Sequence, residues 1–140
     1  MRIIGGRFRG RPLAAPAGLG TRPITDRVKE SIFNILGSRF GTLGTLPDVR
    51  VLDLFAGSGS FGIESLSRGA RFCLFVERGR QALPTLRDNL RRLDLGKDEA
   101  VISTGNAWAL APSAVDRYGL VFVDPPYRDV EDTVRMLQRL

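Results

Sequence analysis

Val51-Leu52-Asp53-Leu54-Phe55-Ala56-Gly57-Ser58-Gly59-Ser60-Phe61-Gly62 reads as an apolar strand carrying one carboxylate, then a glycine-rich turn. A helix follows, with Ile63, Leu66 and Ala70 at helical spacing. Strand, glycine turn and helix is a nucleotide-binding arrangement. The glycines let the backbone approach a ligand and let the helix start closely packed on the strand. Glu77 ends the next apolar run, Arg71-Phe72-Cys73-Leu74-Phe75-Val76, twenty residues past Gly57, where an acid accepts from ribose hydroxyls. A G-x-G-x-x-G pattern is weak alone; Asp53 before it and Glu77 after it strengthen it.

Outward from that unit the chain alternates. Strands are expected near 51–55, 72–76, 100–103 and 119–123, and helices near 60–68, 79–92, 107–113 and 129–139. Such alternation implies an α/β fold with a parallel sheet, in which a ligand sits beyond the strands' carboxyl ends where the strand order reverses. If the first and fourth strands are neighbours, Asp53, the glycine turn and Asp124 share one crevice. Upstream, residues 2–15 suggest a β-hairpin. Thr25 caps a helix with Val28, Ile32, Phe33, Ile35 and Leu36 on its apolar face, ended by Gly37. The organisation is a basic segment, 1–40, ahead of a nucleotide-binding core, 41–140.

The fourth strand, Gly119-Leu120-Val121-Phe122-Val123, ends at Asp124-Pro125-Pro126-Tyr127. The prolines fix φ, remove two donors and stop any ladder. The result is a stiff turn with a carboxylate, a free carbonyl and an aromatic ring. An exocyclic amine on a flat base needs two acceptors for its N–H groups and a plate to stack on.

A chain of 140 residues suits one domain. It has no histidine, which excludes His-based metal sites and Ser-His or Cys-His catalysis; no metal is expected. Cys73 lies within a strand and reads as a buried thiol. No apolar run approaches a membrane span, and the N-terminus lacks a signal-peptide core, so a cytoplasmic protein is expected. Residues 1–40 hold eight bases against two acids, the whole of the +6 net charge. A neutral body with an arginine-rich arm suggests a polyanionic partner, and Arg7, Arg9, Arg11, Arg22 and Arg27 are the candidates for nucleic-acid phosphate.

Asp53-Leu54-Phe55-Ala56-Gly57-Ser58-Gly59 together with Asp124-Pro125-Pro126-Tyr127 resembles a class I S-adenosylmethionine-dependent methyltransferase acting on a base amine. Arg2-Ile3-Ile4-Gly5-Gly6, Arg9-Gly10-Arg11 and Arg22-Pro23-Ile24-Thr25-Asp26-Arg27-Val28-Lys29-Glu30 are similar to the RsmD-type 16S ribosomal RNA guanine-N2 methyltransferases. Ile24 stands where that family more often has threonine. The resemblance covers nearly the whole chain and implies a Rossmann-like sheet of seven strands. Its last three strands are then missing after Leu140, leaving the fourth as a bare edge.

The resemblance further implies S-adenosylmethionine as cofactor and 16S ribosomal RNA, within the small subunit or an assembly intermediate, as partner of a monomeric enzyme. Asp124 and the Pro125 carbonyl would take the guanine amine and Tyr127 would stack on the base, with Pro126 stiffening the turn. The turn Phe55-Ala56-Gly57-Ser58-Gly59 would hold the methionine portion, Glu77 the ribose, and Arg78, Asn106 and Ala107 the adenine. Asp53 serves the cofactor or only the turn. Asn106 reads equally as an N-cap. Thr25 and Arg27 face the cofactor or are a helix cap and a solvated arginine. A DNA adenine-N6 or cytosine-N4 methyltransferase, and an RNA-binding fragment without catalysis, are the alternatives.

Overall fold

The computed structural model describes residues 1–18 and 23–140; Arg22 and the side chain of Tyr127 lie outside what it describes. Four parallel strands, β1 (Arg50–Leu54), β2 (Phe72–Val76), β3 (Ala100–Ser103) and β4 (Leu120–Val123), form one sheet in the order β3-β2-β1-β4. The first and fourth strands are therefore neighbours. Leu54 is in register with Val76 on one side and Val123 on the other. The chain steps off all three strands at one level, into Phe55, Glu77 and Asp124. The central runs are apolar because both faces are covered; Val51, Leu52, Asp53 and Leu54 are all buried. Helices α2 (Ser60–Ser67), α3 (Ala82–Arg92) and α5 (Val130–Arg139) connect or follow the strands. No helix among the described residues is long and apolar enough to cross a membrane.

The 107–113 segment differs from the single helix expected. A 3-10 turn spans Ala107–Ala109 and a short helix α4 spans Pro112–Val115. Pro112 has no N–H to continue a helix from upstream and instead starts a new one. Residues 2–15 do reverse direction, but only Arg2 and Pro12 form an antiparallel bridge. Hydrogen bonds from Ile3 N to Arg11 O and from Leu13 N to Met1 O hold the reversal.

Helix α1 (Asp26–Phe40) starts at Thr25, whose Oγ1 accepts from Val28 N at 3.3 Å. It runs through Gly37 and ends at Gly41, which has φ 69° and donates its N–H to the last turn. Gly37 is buried in the helix because a Cβ there would lie 2.5 Å from the Thr42 carbonyl oxygen. The buried stripe is Lys29, Phe33 and Gly37, while Val28 and Ile35 are 49% and 62% exposed. The apolar pattern misplaces the face because its first buried residue is a lysine.

That lysine belongs to a fully buried polar node. Glu64, on α2, accepts from Ile4 N at 2.9 Å, Gly5 N at 2.8 Å and Arg68 Nε at 2.8 Å, and pairs with Lys29 Nζ at 3.2 Å. Lys29 Nζ also donates to Arg2 O at 2.6 Å and to Ser60 Oγ at 3.2 Å. Gly5 is a glycine because a Cβ would press on Arg68 Cζ at 2.7 Å. One carboxylate thus ties the N-terminal reversal, α1 and α2 together. Burial lowers the Lys29 pKa, and Glu64 works against that shift. Removing one partner of a buried ion pair leaves uncompensated charge and costs about 3–5 kcal/mol. Glu64→Gln is expected to lower the unfolding free energy by that amount in urea titration. Adding Lys29→Met should recover part of the loss; strict additivity would mean that the pair is not coupled.

Candidate active site

The carboxyl ends of β2, β1 and β4 build a crevice in which neighbouring strands stand ~4.8 Å apart. Glu77 and Asp124, each one residue past paired positions on either side of β1, are therefore ~10 Å apart at the backbone. Asp53 lies between them, one residue before Leu54. Its side chain is 1% exposed, and its Oδ2 accepts from Gly62 N at 2.9 Å. Gly62 is in the first turn of α2, whose N-cap Gly59 offers no side chain. Asp53 therefore caps α2 from the neighbouring strand. Burial pushes its carboxyl up to about 7. The Gly62 N–H pulls the other way, and the charges of Asp124 and Glu77 push further up.

The glycine turn divides its work. Gly59, at φ 83°, is needed for packing: a Cβ would lie 2.6 Å from Leu86 Cδ1. Gly62 lies against Phe75 and Cys73 in the same way. Gly57, at φ 57°, has nothing within 4 Å of a Cβ position. Its exposed flank is where a ligand can lie against bare backbone. Phe55 has φ 61°, a left-handed conformation that is costly for an aromatic residue. Its ring packs on Trp108 at 4.5 Å. Strain of this kind concentrates at ligand clamps. Ser58 is buried and its carbonyl accepts from Asn89 Nδ2 at 3.0 Å; Ala56 N donates to Val76 O. The turn is thus held from behind and open in front, as a nucleotide-type cofactor requires.

Glu77 uses both oxygens on the backbone, accepting from Gly57 N at 2.8 Å and Gly79 N at 2.6 Å. An ionised carboxylate has about four lone-pair sites, so capacity for hydroxyl donors remains. Arg78 next to it is exposed. Asn106 is exposed and N-caps the 3-10 turn, its Oδ1 accepting from Trp108 N at 3.1 Å, while Ala107 is buried.

Across the crevice, Asp124 is exposed at the tip of β4, and partial desolvation still raises its pKa. Among the described residues nothing donates to its carboxylate or to the Pro125 carbonyl. Pro126 is extended, at φ −57° and ψ 137°, and its carbonyl accepts from Asp129 N, closing a 3-10 turn over Tyr127–Asp129. Phe122 stacks on Phe61 at 4.8 Å and meets Phe33 at 5.8 Å, which fixes β4 against α2 and α1.

The expected nucleic-acid arginines are not together. Arg27 is exposed in the first turn of α1. Arg7 pairs with Glu99 and lies over the Phe8 ring at 4.5 Å; Arg11 donates to the Arg92 carbonyl at 2.6 Å. Both are engaged within the chain, beside the amino-terminal end of β3. Arg9 is exposed at the bend, and Arg22 lies outside the described residues.

Two positioning residues escaped the sequence reading. Lys29 binds Ser60 at the start of α2. Asn89 bridges Ser58 O to Ala14, accepting from Ala14 N at 2.9 Å and donating to its carbonyl at 3.0 Å. A signal existed for Asn89: it sits on the apolar face of α3 with Leu86, Leu90 and Leu93. A separate groove of about 510 Å³ between α3 and β3, lined by Leu90, Leu95 and Ile102, takes no part in this arrangement.

Comparison with known proteins agrees with this geometry. The family model described as conserved hypothetical protein 95 matches residues 1–140. YlbH of Bacillus subtilis, a putative rRNA methyltransferase by name, is 47% identical over 131 residues, 92% of this chain and 68% of that protein. The ribosomal RNA small subunit methyltransferase D of Escherichia coli K12 is 40% identical over 140 residues, 99% of this chain and 67% of that enzyme. A solved hypothetical protein from Thermus thermophilus superposes with a TM-score of 0.81 at 32% identity, covering 99% of this chain and 77% of that one.

The pH behaviour of Asp53 is testable. In the folded chain it keeps its proton to about pH 7, against 3.8 for an ordinary aspartate. Stability contributed by the protonated form is therefore lost as pH rises through that window. A cationic ligand favours the ionised form. If the ligand is S-adenosylmethionine, its affinity by calorimetry is expected to fall about tenfold from pH 8 to pH 6, and Asp53→Asn should flatten that profile while stabilising the free protein at pH 8. A profile unchanged by the substitution would remove Asp53 from ligand binding.

Proposed function

This chain belongs to the conserved hypothetical protein 95 family, with ribosomal RNA small subunit methyltransferase D among its relatives, and from that premise we propose that it methylates the exocyclic N2 of a guanine in 16S ribosomal RNA. The observation that carries the reading is a pair of acceptors with no partner among the described residues, Asp124 and the Pro125 carbonyl, one sheet position away from the glycine turn. S-adenosylmethionine, when bound, supplies a methyl group activated by a positively charged sulfur. Gly57 and Gly59 would cradle it, Glu77 would take its ribose hydroxyls, and Asp53 would balance its positive charge.

What the chain itself does is position and accept. Guanine N2 is a weak nucleophile because its lone pair conjugates with the ring. Holding both N–H groups on Asp124 and Pro125 O turns that lone pair toward the cofactor, and orientation of this kind supplies ~7–11 kcal/mol of barrier reduction. As the carbon–nitrogen bond forms and the carbon–sulfur bond breaks, the nitrogen must shed a proton. The raised pKa of Asp124 suits that carboxylate to take it. The target base must leave its stack to enter, and Tyr127 would receive it. We infer a monomer working in the cytoplasm on small-subunit RNA or an assembly intermediate, with the positive charge of residues 1–40 drawing the RNA in.

Incubation with methyl-labelled cofactor and small-subunit RNA or particles, followed by nucleoside analysis, is expected to show N2-methylguanosine. Label on adenine or cytosine would favour the DNA-type reading. Asp124→Ala should lower kcat/KM by about 100-fold or more while S-adenosylhomocysteine still binds within about threefold (~0.6 kcal/mol) of the parent. Loss of both together would count against the role given to Asp124.

A further inference from the structure

The arginines of this chain fall into two populations. Toward the amino-terminal ends of the strands most guanidiniums are engaged internally. Arg7 is on Glu99, Arg11 on the Arg92 carbonyl, Arg71 on Asp48, and Arg91 and Arg92 on Asp88. Arg50 lies over Phe72 and Tyr118, at 4.2 and 5.5 Å. At the carboxyl ends the pattern reverses. Arg27, Arg78, Arg80 and Arg128 are exposed, and among the described residues their side chains form no ion pair, hydrogen bond or ring contact.

Their placement follows from the topology. Arg78 and Arg80 lie in the loop leaving β2, directly after Glu77. Arg128 lies four residues past Asp124, in the 3-10 turn after β4. Arg27 lies in the first turn of α1, whose Lys29 touches the start of α2. Arg78, Arg80 and Arg128 thus follow closely on the strand ends that carry Glu77 and Asp124, and Arg27 stands at the start of the helix packed toward α2. Asp53 and Glu77 spend oxygens on Gly62 N, Gly57 N and Gly79 N, and among the described residues no carboxylate pairs with any of the four guanidiniums. The site is layered: carboxylates on the floor, guanidiniums on the rim.

Among the described residues Arg9, Arg39, Arg87, Lys97 and Arg117 are also without partners; Arg87 lines the groove between α3 and β3, and the others lie at the opposite pole. Strands of four or five residues span ~13–17 Å, so that pole is remote from Asp124. A base seated on Asp124 brings its flanking phosphates to the crevice mouth, whatever else the RNA touches. Resting on the RNA-substrate reading, we propose that Arg27, Arg78, Arg80 and Arg128 form a phosphate-gripping rim that holds the RNA strand on either side of the target nucleotide. Arg7 and Arg11 instead fasten the N-terminal reversal to the core. This moves Arg78 from the adenine to the RNA and adds Arg80 and Arg128, for which the sequence offered no sign.

The test is binding of a fluorescein-labelled, single-stranded, guanine-containing RNA to the whole chain by anisotropy across a potassium chloride series. Each phosphate contact contributes ~0.7 to the slope of log affinity against log salt for single strands. Arg80→Gln and Arg128→Gln should each flatten the slope by about that amount, and additively, with thermal midpoints unchanged. Arg7→Gln and Arg11→Gln should lower the midpoint and leave the slope alone. Rim variants with the parent slope, or flattening produced by the Arg7 and Arg11 variants instead, would overturn the assignment. If the parent chain methylates RNA while rim variants keep its slope, the rim fails and the enzymatic reading stands. A parent chain that binds no RNA would sink both.

Discussion

The architecture hangs on one carboxylate with no exposure to water. Glu64 takes two amides from the N-terminal segment, a guanidinium from its own helix and an ammonium from α1. A charge so deeply buried is tolerable only when every lone pair is used. That demand is what makes the node specific: slipping the N-terminal segment by one residue would strand Glu64, Lys29 and Arg68 together. Through Lys29 and Ser60 the same node reaches the first residue of α2 and so the glycine turn. The N-terminal forty residues are therefore not an appendage. Ile3, Leu13 and Phe33 share a core with Val51, Phe75 and Leu86, and the arm sets the position of the turn that receives a ligand.

The crevice itself runs against stability. Three carboxylates converge, one of them wholly buried and pushed up to about 7, and Phe55 is held left-handed at the mouth. A fold optimised only for its own energy would have neutralised the first and placed glycine at the second. Local violations like these, surrounded by an otherwise consistent structure, are where function concentrates. A bound cation resolves the first conflict, and the Phe55–Trp108 contact offsets part of the second.

What could be read from the sequence was what is local or periodic. Strand, turn and helix around Gly57 follow from adjacent residues, whereas the β1–β4 pairing, only a condition in the sequence, is supplied by the sheet order. Boundaries set by long-range packing were not readable. Gly37 has the composition of a helix end but is a packing glycine against Thr42, and the true left-handed cap is Gly41. Lys29 broke the apolar stripe of α1, so the apparent face rotated onto Val28 and Ile35. Its partner Glu64 is 35 positions away in the chain, and Asn89 binds Ala14 across 75; no window of sequence contains both ends. Within the site, Asp124 and Glu77 were visible because strand ends declare themselves. The cap that Asp53 places on α2 is only one of the two readings its position in the sequence allows.

The net charge supports a narrower interpretation than its sum invites. All +6 of it arises in residues 1–40, yet Arg2, Arg7, Arg11 and Lys29 from that stretch are all committed to internal partners. Engaged charges still shape the far field and speed the approach of a polyanion, because pairing at a distance cancels only in part. Contact is a different property. In the proposed rim it belongs to guanidiniums that pair with no carboxylate among the described residues, and three of those four lie beyond residue 40. Steering and gripping are thus divided between two parts of the chain, and only the steering part is written in the composition.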